Sequence, residues 1–135
     1  MFNWNKKPKS TGQLGEEFAQ KEYKKLGFTI IAANEYNKKG KQMGEIDFIA
    51  KNKEKIVFVE VKSRTDGDGK FGSGFEAVDM FKQVKLLRAV KIYILHNTKY
   101  QSLIPQIDVC VVRLSSVDNT PESATIVANA VEDWG

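Results

Sequence analysis

Two short stretches carry side chains able to do chemistry together, Glu45-Ile46-Asp47 and Glu60-Val61-Lys62. Residues 45–51 and 56–63 both read as strands, and Asn52 to Glu54 between them makes a hairpin the economical arrangement. Side chains alternate across a strand. Val57, Val59 and Val61 then share one face while Phe58, Glu60 and Lys62 share the other; in the preceding strand Ile46, Phe48 and Ala50 oppose Glu45, Asp47 and Ile49. Continuing the ladder from an Asn52–Lys55 pair across a tight Lys53-Glu54 turn sets Asp47 opposite Glu60 and Glu45 opposite Lys62. Cβ atoms of directly opposed residues lie about 4.5 to 5.5 Å apart, where like charges repel, so two carboxylates there require a cation or a shared proton. A hard divalent ion, Mg²⁺ or Mn²⁺, takes a few carboxylates while keeping water and phosphate oxygens in its shell. Lys62, on the same face, can orient a water or offset negative charge growing on a phosphate. This is equipment for metal-assisted phosphodiester hydrolysis. The same alternation also describes a half-exposed strand in which Glu45 and Lys62 form an ordinary surface pair. Against the plainer reading, Ile56 to Val59 is apolar on both faces, as in a central buried strand, and an acid directly after it requires a reason.

The elements that must position these residues follow from local signals. Ser10 or Thr11 can cap a helix running to about Leu26, with Gly27 as its stop and Leu14, Phe18 and Ala19 on its buried side. Phe28 to Ala33 reads as a strand, and 34–43 as a lysine-rich connection ending at Gly44. After the hairpin comes a glycine-rich loop, 65–74, then the longest helix candidate, from Phe75 to about His96. Ala77, Met80, Phe81, Val84 and Leu87 recur at helical spacing along it. Leu86, Ala89, Val90 and Tyr93 form a second apolar face, suited either to the core or to a subunit contact in a homodimer. Ile107 to Leu114 is a late buried strand, and Ala124 to Val131 can dock as a short element. A long helix between two strands favours their parallel pairing, so a mixed sheet with packed helices, an α/β or α+β domain, is expected. The organisation expected is a mobile basic arm over 1–9, one domain over 10–114, and an acidic tail over 115–135 partly docked on it.

The 135 residues suit one ordinary domain. Hydrophobic residues at 41% and charged residues at 28% argue against disorder and membrane insertion. With the single Cys110, no internal disulfide can form and no structural zinc cluster is available, and no leader or membrane span is legible, so a cytoplasmic protein is expected. The net charge is +4, and after Arg113 the only charged residues are Asp118, Glu122, Glu132 and Asp133, so the preceding body is more basic still. That favours a polyanionic partner, nucleic acid before membrane. Gly67-x-Gly69-x-x-Gly72 matches a dinucleotide fingerprint formally but lacks the strand directly before it and the later acid. This loop either folds over substrate, offering Lys70 and Phe71 to phosphate and base, or is a plain connector. Lys82, Lys85 and Arg88 either line a nucleic-acid groove or form a solvated face, His96 suits a helix-end contact, and Cys110 suits inert packing.

Taken together, Gly12-x-x-Gly15-Glu16-x-x-Ala19, Gly44-Glu45-Ile46-Asp47-x-Ile49-Ala50 and Phe58-Val59-Glu60-Val61-Lys62-x-Arg64 resemble the YraN-like family of small bacterial proteins. That family is similar to Holliday junction resolvases of the PD-(D/E)XK nuclease fold. The resemblance extends through Phe71-Gly72, Ala77-Val78, Lys82, Ile107-Asp108-Val109 and Asn129-Ala130. It implies a restriction-endonuclease-like three-layer domain, a mixed central sheet flanked by helices. It implies a catalytic set of Asp47, Glu60, Lys62 and Glu16, with Asp47, Glu60 and the Val61 carbonyl on Mg²⁺ or Mn²⁺. Arg64, Lys70, Phe71, Lys82 and Lys85 are then the expected contacts to DNA. Glu16 shares a helical row with Ala19 and Tyr23, which suits an inward position, although an acid near a helix start is also favoured by the dipole alone. Tyr36 and Gln106 stand where arginines are expected in the family. The expected activity is metal-dependent cleavage of DNA, selective for branched structures; the alternative is a nucleic-acid-binding module that keeps the nuclease fold without catalysis.

Overall fold

A computed structural model describes residues 9–33, 46–65 and 80–131, the side chains of 80–82 excepted. The arm at 1–8, the connection with Tyr36, Gly44 and Glu45, the glycine-rich loop with Lys70 and Phe71, and the last four residues lie outside these segments.

Helix α1 spans Thr11–Lys25. Its start is a reciprocal capping box: Ser10 Oγ accepts from the Gln13 amide at 3.1 Å, and Gln13 Oε1 accepts from the Ser10 amide at 2.9 Å. Its end is equally well specified. Gly27 takes φ of 95°, a left-handed conformation that only glycine adopts without cost. The Phe28 amide then reaches back to the Tyr23 carbonyl and the Gly27 amide to the Lys24 carbonyl, the paired bonds of a Schellman motif. The Phe28 ring completes it by an edge contact with Tyr23, with centroids 5.6 Å apart.

Five strands follow: β1 Thr29–Ala33, β2 Phe48–Lys51, β3 Lys55–Thr65, β4 Ile104–Leu114 and β5 Pro121–Val127. They form one sheet in sequence order, antiparallel throughout except for the parallel β3–β4 pair. Helix α2, Met80–His96, and a short 3-10 turn at Thr98–Tyr100 lie on the path between β3 and β4. The hairpin register is the expected one, with Phe48 opposite Val59 and Lys51 opposite Ile56. Asn52 sets it: its amide donates to the Lys55 carbonyl, and its Oδ1 accepts from the Glu54 and Lys55 amides.

Alternation along the strands builds two cores. Val57, Val59, Phe48, Ala50, Cys110 and Val112 bury against Ala19 and Tyr23 of α1. Ile56, Phe58, Ile49 and Ile107 bury against Leu86 and Val90 of α2. The result is a three-layer α+β fold with β3 covered on both sides, and removing the fully buried Phe58 side chain is worth about 3 to 5 kcal/mol.

Three local expectations change. The apolar stripe that includes Val84 and Leu87 is not the deepest face of α2; Val84 is 48% exposed, whereas Leu86 and Val90 are fully buried, so the second face belongs to the core. Strand β4 starts at Ile104 rather than Ile107. Pro105 is tolerated because β5 pairs with β4 only from Val109 onward, leaving that side of Pro105 without a ladder bond to make. The docking element of the tail is β5, which begins at Pro121 and stops at Val127, after which Val131 plugs the α2-side core.

Candidate active site

Glu60 sits in β3 directly after the doubly covered run, 5% exposed, and Lys62 follows two residues later on the same face. The Lys62 ammonium lies 3.3 Å from Glu60 Oε1, with both side chains largely out of solvent. Burying a carboxylate and an ammonium costs several kcal/mol per ion unless they pair, and here each partly offsets the other.

Asp47 enters from the opposite strand. The described β2–β3 pairing ends at Phe48 and Val59. Beyond it the Asp47 amide still donates to the Val59 carbonyl at 2.9 Å, and its carboxylate Oδ2 accepts from the Val61 amide at 2.7 Å. The side chain thus takes the place of the carbonyl that a continued ladder would have supplied. This bond fixes the Asp47 carboxylate between the strand ends, against the backbone that joins Glu60 to Lys62. Asp47 thus bonds the β3 backbone on either side of Glu60, at the Val59 carbonyl and the Val61 amide.

The Asp47 carboxylate held by the Val61 amide and the Glu60–Lys62 pair therefore lie together at the open end of the hairpin. Among the described residues no three His, Cys, Asp or Glu side chains assemble into a metal cage. The donor set is instead two hard carboxylate oxygens with the Val61 carbonyl close by. That suits Mg²⁺, which dehydrates reluctantly and is commonly held by one or two carboxylates together with water and phosphate oxygens.

The other expected residues are placed as follows. Glu16 is buried on α1, the layer that covers the valine face of β3, opposite the face of Glu60 and Lys62. Next to it, Gly15 lies so close to β3 that a Cβ there would overlap Ser63 Oγ, so glycine lets this turn of α1 rest on the strand. Arg64 donates to the Ser63 carbonyl at 2.9 Å. Lys85 is exposed on α2. Lys70, Phe71, Glu45 and the Lys82 side chain lie outside the described residues.

A second carboxylate centre was not found from residue patterns alone. Asp108 in β4 is 2% exposed and accepts three hydrogen bonds: from the Tyr23 hydroxyl at 2.6 Å, the Gln106 amide at 2.8 Å and the Asn129 backbone at 3.0 Å. Burial and then the Asp108 charge raise the Tyr23 hydroxyl far above its usual range. Burial, followed by Asp108 and Glu22, pushes the Cys110 thiol up to about 12, which fits an unreactive packing role. The available signal was an acid between apolar neighbours in a buried strand, the same signal that singled out Glu60.

A family model described as "Uncharacterised protein family UPF0102" matches residues 15–112. A UPF0102 protein of Caldanaerobacter subterraneus subsp. tengcongensis is 38% identical over 122 residues, covering 90% of this chain and 94% of the relative. One from Carboxydothermus hydrogenoformans is 39% identical over 97 residues, covering 72% and 76%. One from Clostridium botulinum is 34% identical over 124 residues, covering 92% and 95%.

Proposed function

The chain belongs to the UPF0102, or YraN-like, family, and we propose that within it this protein is a metal-dependent endonuclease that hydrolyses DNA phosphodiester bonds, selective for branched structures. The observation that carries the reading is the convergence of Asp47, Glu60 and Lys62 at one hairpin end, with Asp47 locked to the Val61 amide. The similarity of the motifs to resolvases of the PD-(D/E)XK fold supports the same chemistry.

Asp47 and Glu60, with the Val61 carbonyl, would hold Mg²⁺ or Mn²⁺. When bound, such an ion supplies Lewis acidity and makes hydroxide accessible near neutral pH. The protein's own groups do the rest. The Val61 amide holds Asp47 in one orientation, so the carboxylate need not be reorganised when substrate arrives. Lys62, 3.3 Å from Glu60 Oε1, donates to a water or a phosphate oxygen and offsets charge that grows on phosphorus. Excess lysine over the body of the chain draws the polyanion in, and Arg64 and Lys85 contact its backbone.

One feature favours the second reading, a nucleic-acid-binding module without catalysis. A carboxylate that replaces a ladder acceptor, as Asp47 does, has a structural use of its own. Cleavage assays on linear, nicked, flapped and four-way DNA with Mg²⁺, Mn²⁺ or EDTA, run beside Asp47→Asn, separate the two. Metal-dependent cutting that falls by roughly a hundredfold or more in the variant is the expected result. DNA binding without cutting by either protein would select the binding module.

A further inference from the structure

From Met80 to Ile107 the chain contains Lys82, Lys85, Arg88, Lys91 and Lys99 and no acidic residue at all. The structure turns the described members of this set outward. Lys85, Arg88 and Lys91 are exposed along α2, and Lys99 is exposed on the 3-10 turn, with its ammonium 5.2 Å from the centre of the Tyr100 ring. Among the described residues, Arg88 and Lys91 have no ion-pair partner. Beneath them Leu86 and Val90 are fully buried, and Tyr93 lies edge-on to Phe58 and stacks with Tyr100. The cations therefore stand on a helix fixed from below.

The direction of this face follows from topology. Because β3 and β4 are parallel with α2 between them, α2 starts at the end of the sheet where β3 finishes, beyond Lys62 and Arg64, and runs back toward Ile104 beside Lys55. It leads away from the hairpin end that holds Asp47 and Glu60. At about 1.5 Å per residue the helix is about 25 Å long, which matches about 7 base pairs of duplex.

We propose that the outer face of α2, with Arg88 and Lys91 at its centre and Lys99 at its far end, is a track for the phosphate backbone of duplex DNA leading away from the cleavage site. This deepens the nuclease reading and rests on it for the identity of the polyanion. The exposed Val84, Ile92 and Leu95 between the cations rest on deoxyribose carbons, and no side chain on the face needs to read a base. Binding through this track is therefore independent of sequence.

The test is duplex binding by fluorescence anisotropy in EDTA, using the full chain, at a series of salt concentrations. The variants are Arg88→Gln/Lys91→Gln/Lys99→Gln and, separately, Ile92→Ser/Leu95→Ser. The charge variant is expected to weaken binding equally on unrelated sequences and to lower the slope of log K against log salt by roughly 2 to 3, about 0.9 for each phosphate that is no longer neutralised. The apolar variant is expected to keep the wild-type slope. An unchanged slope in the charge variant, or loss of binding in the apolar variant alone, overturns the track. Adding Mg²⁺ to the same wild-type samples reads cleavage separately. Cutting with an unchanged slope removes the track and spares the nuclease, whereas a reduced slope without cutting does the reverse.

Discussion

Two carboxylate centres lie back to back across the same two strands, and they are built in opposite ways. In the β3–β4 register Val59 faces Asp108 and Glu60 faces Val109, so the two buried acids are one residue out of step and point to opposite layers. Asp108 meets a phenol hydroxyl, a side-chain amide and a backbone amide, all neutral donors drawn from α1, its own strand and the turn after β5. Its charge is spread over hydrogen bonds that cost nothing further to satisfy, and the carboxylate acts as a clamp. Glu60 meets an ammonium, and the Asp47 carboxylate from the neighbouring strand is bound to the amide of the next residue, Val61. Neutral donors that satisfy an acid make it structural, while a like-charge neighbour and a nearby cation leave it dependent on what binds.

The comparison is most easily broken at the clamp. Asp108→Ala leaves the Tyr23 hydroxyl and the Asn129 amide without their acceptor in a buried place, and each such loss costs roughly 1 to 3 kcal/mol. Urea unfolding should show a loss of about 3 kcal/mol or more, with Tyr23→Phe taking about half. A variant as stable as wild type would mean that Asp108 does not fasten α1 and the C-terminal turn together.

The opposite centre should respond more weakly. Glu60→Gln leaves the largely buried Lys62 ammonium facing a neutral amide but keeps a hydrogen-bond acceptor there, so the loss of stability should stay below the roughly 3 to 5 kcal/mol of a buried pair broken outright. A loss as large as that of Asp108→Ala would make Glu60 a second structural clamp.

The smallest effect lies on the clamp side of the sheet at high pH. Cys110 and Tyr23 are both held in their protonated, neutral forms by burial, with the thiol pushed up to about 12. The unfolded chain loses its thiol proton near about pH 8.5, so above that point the folded state binds more protons and stability falls as pH rises toward about 12. Cys110→Val should flatten part of this decline in melting curves taken between about pH 8.5 and 11. An unchanged slope would assign the whole alkaline decline to other groups.

Much of this was legible because it is local. The capping box at Ser10 and Gln13, the stop at Gly27 and the Asn52 turn each lie within a few residues, and the turn alone fixes which residues oppose one another across the hairpin. That register is the basis for expecting Asp47 opposite Glu60, and the described pairing follows it as far as Phe48 opposite Val59. The Asp108 clamp was not legible, because Tyr23 lies 85 positions away in the chain and Asn129 contributes a backbone amide that carries no residue preference. Helix α2 misled for another reason. It is apolar on more than one side, so periodicity offers two overlapping stripes, and only the position of the sheet decides that Leu86 and Val90 go in while Val84 stays half exposed.

The most direct test of the contrast between the two centres is thermal melting of wild type, Asp47→Asn, Glu60→Gln and Asp108→Asn, each with and without Mg²⁺ or Mn²⁺. A ligand that binds only the folded state raises the melting temperature in step with its affinity. Metal should raise it for wild type and for Asp108→Asn, and leave Asp47→Asn and Glu60→Gln unmoved. A metal-induced rise that survives in Asp47→Asn and Glu60→Gln, or is lost only in Asp108→Asn, would contradict the assignment of the reactive centre to the hairpin end.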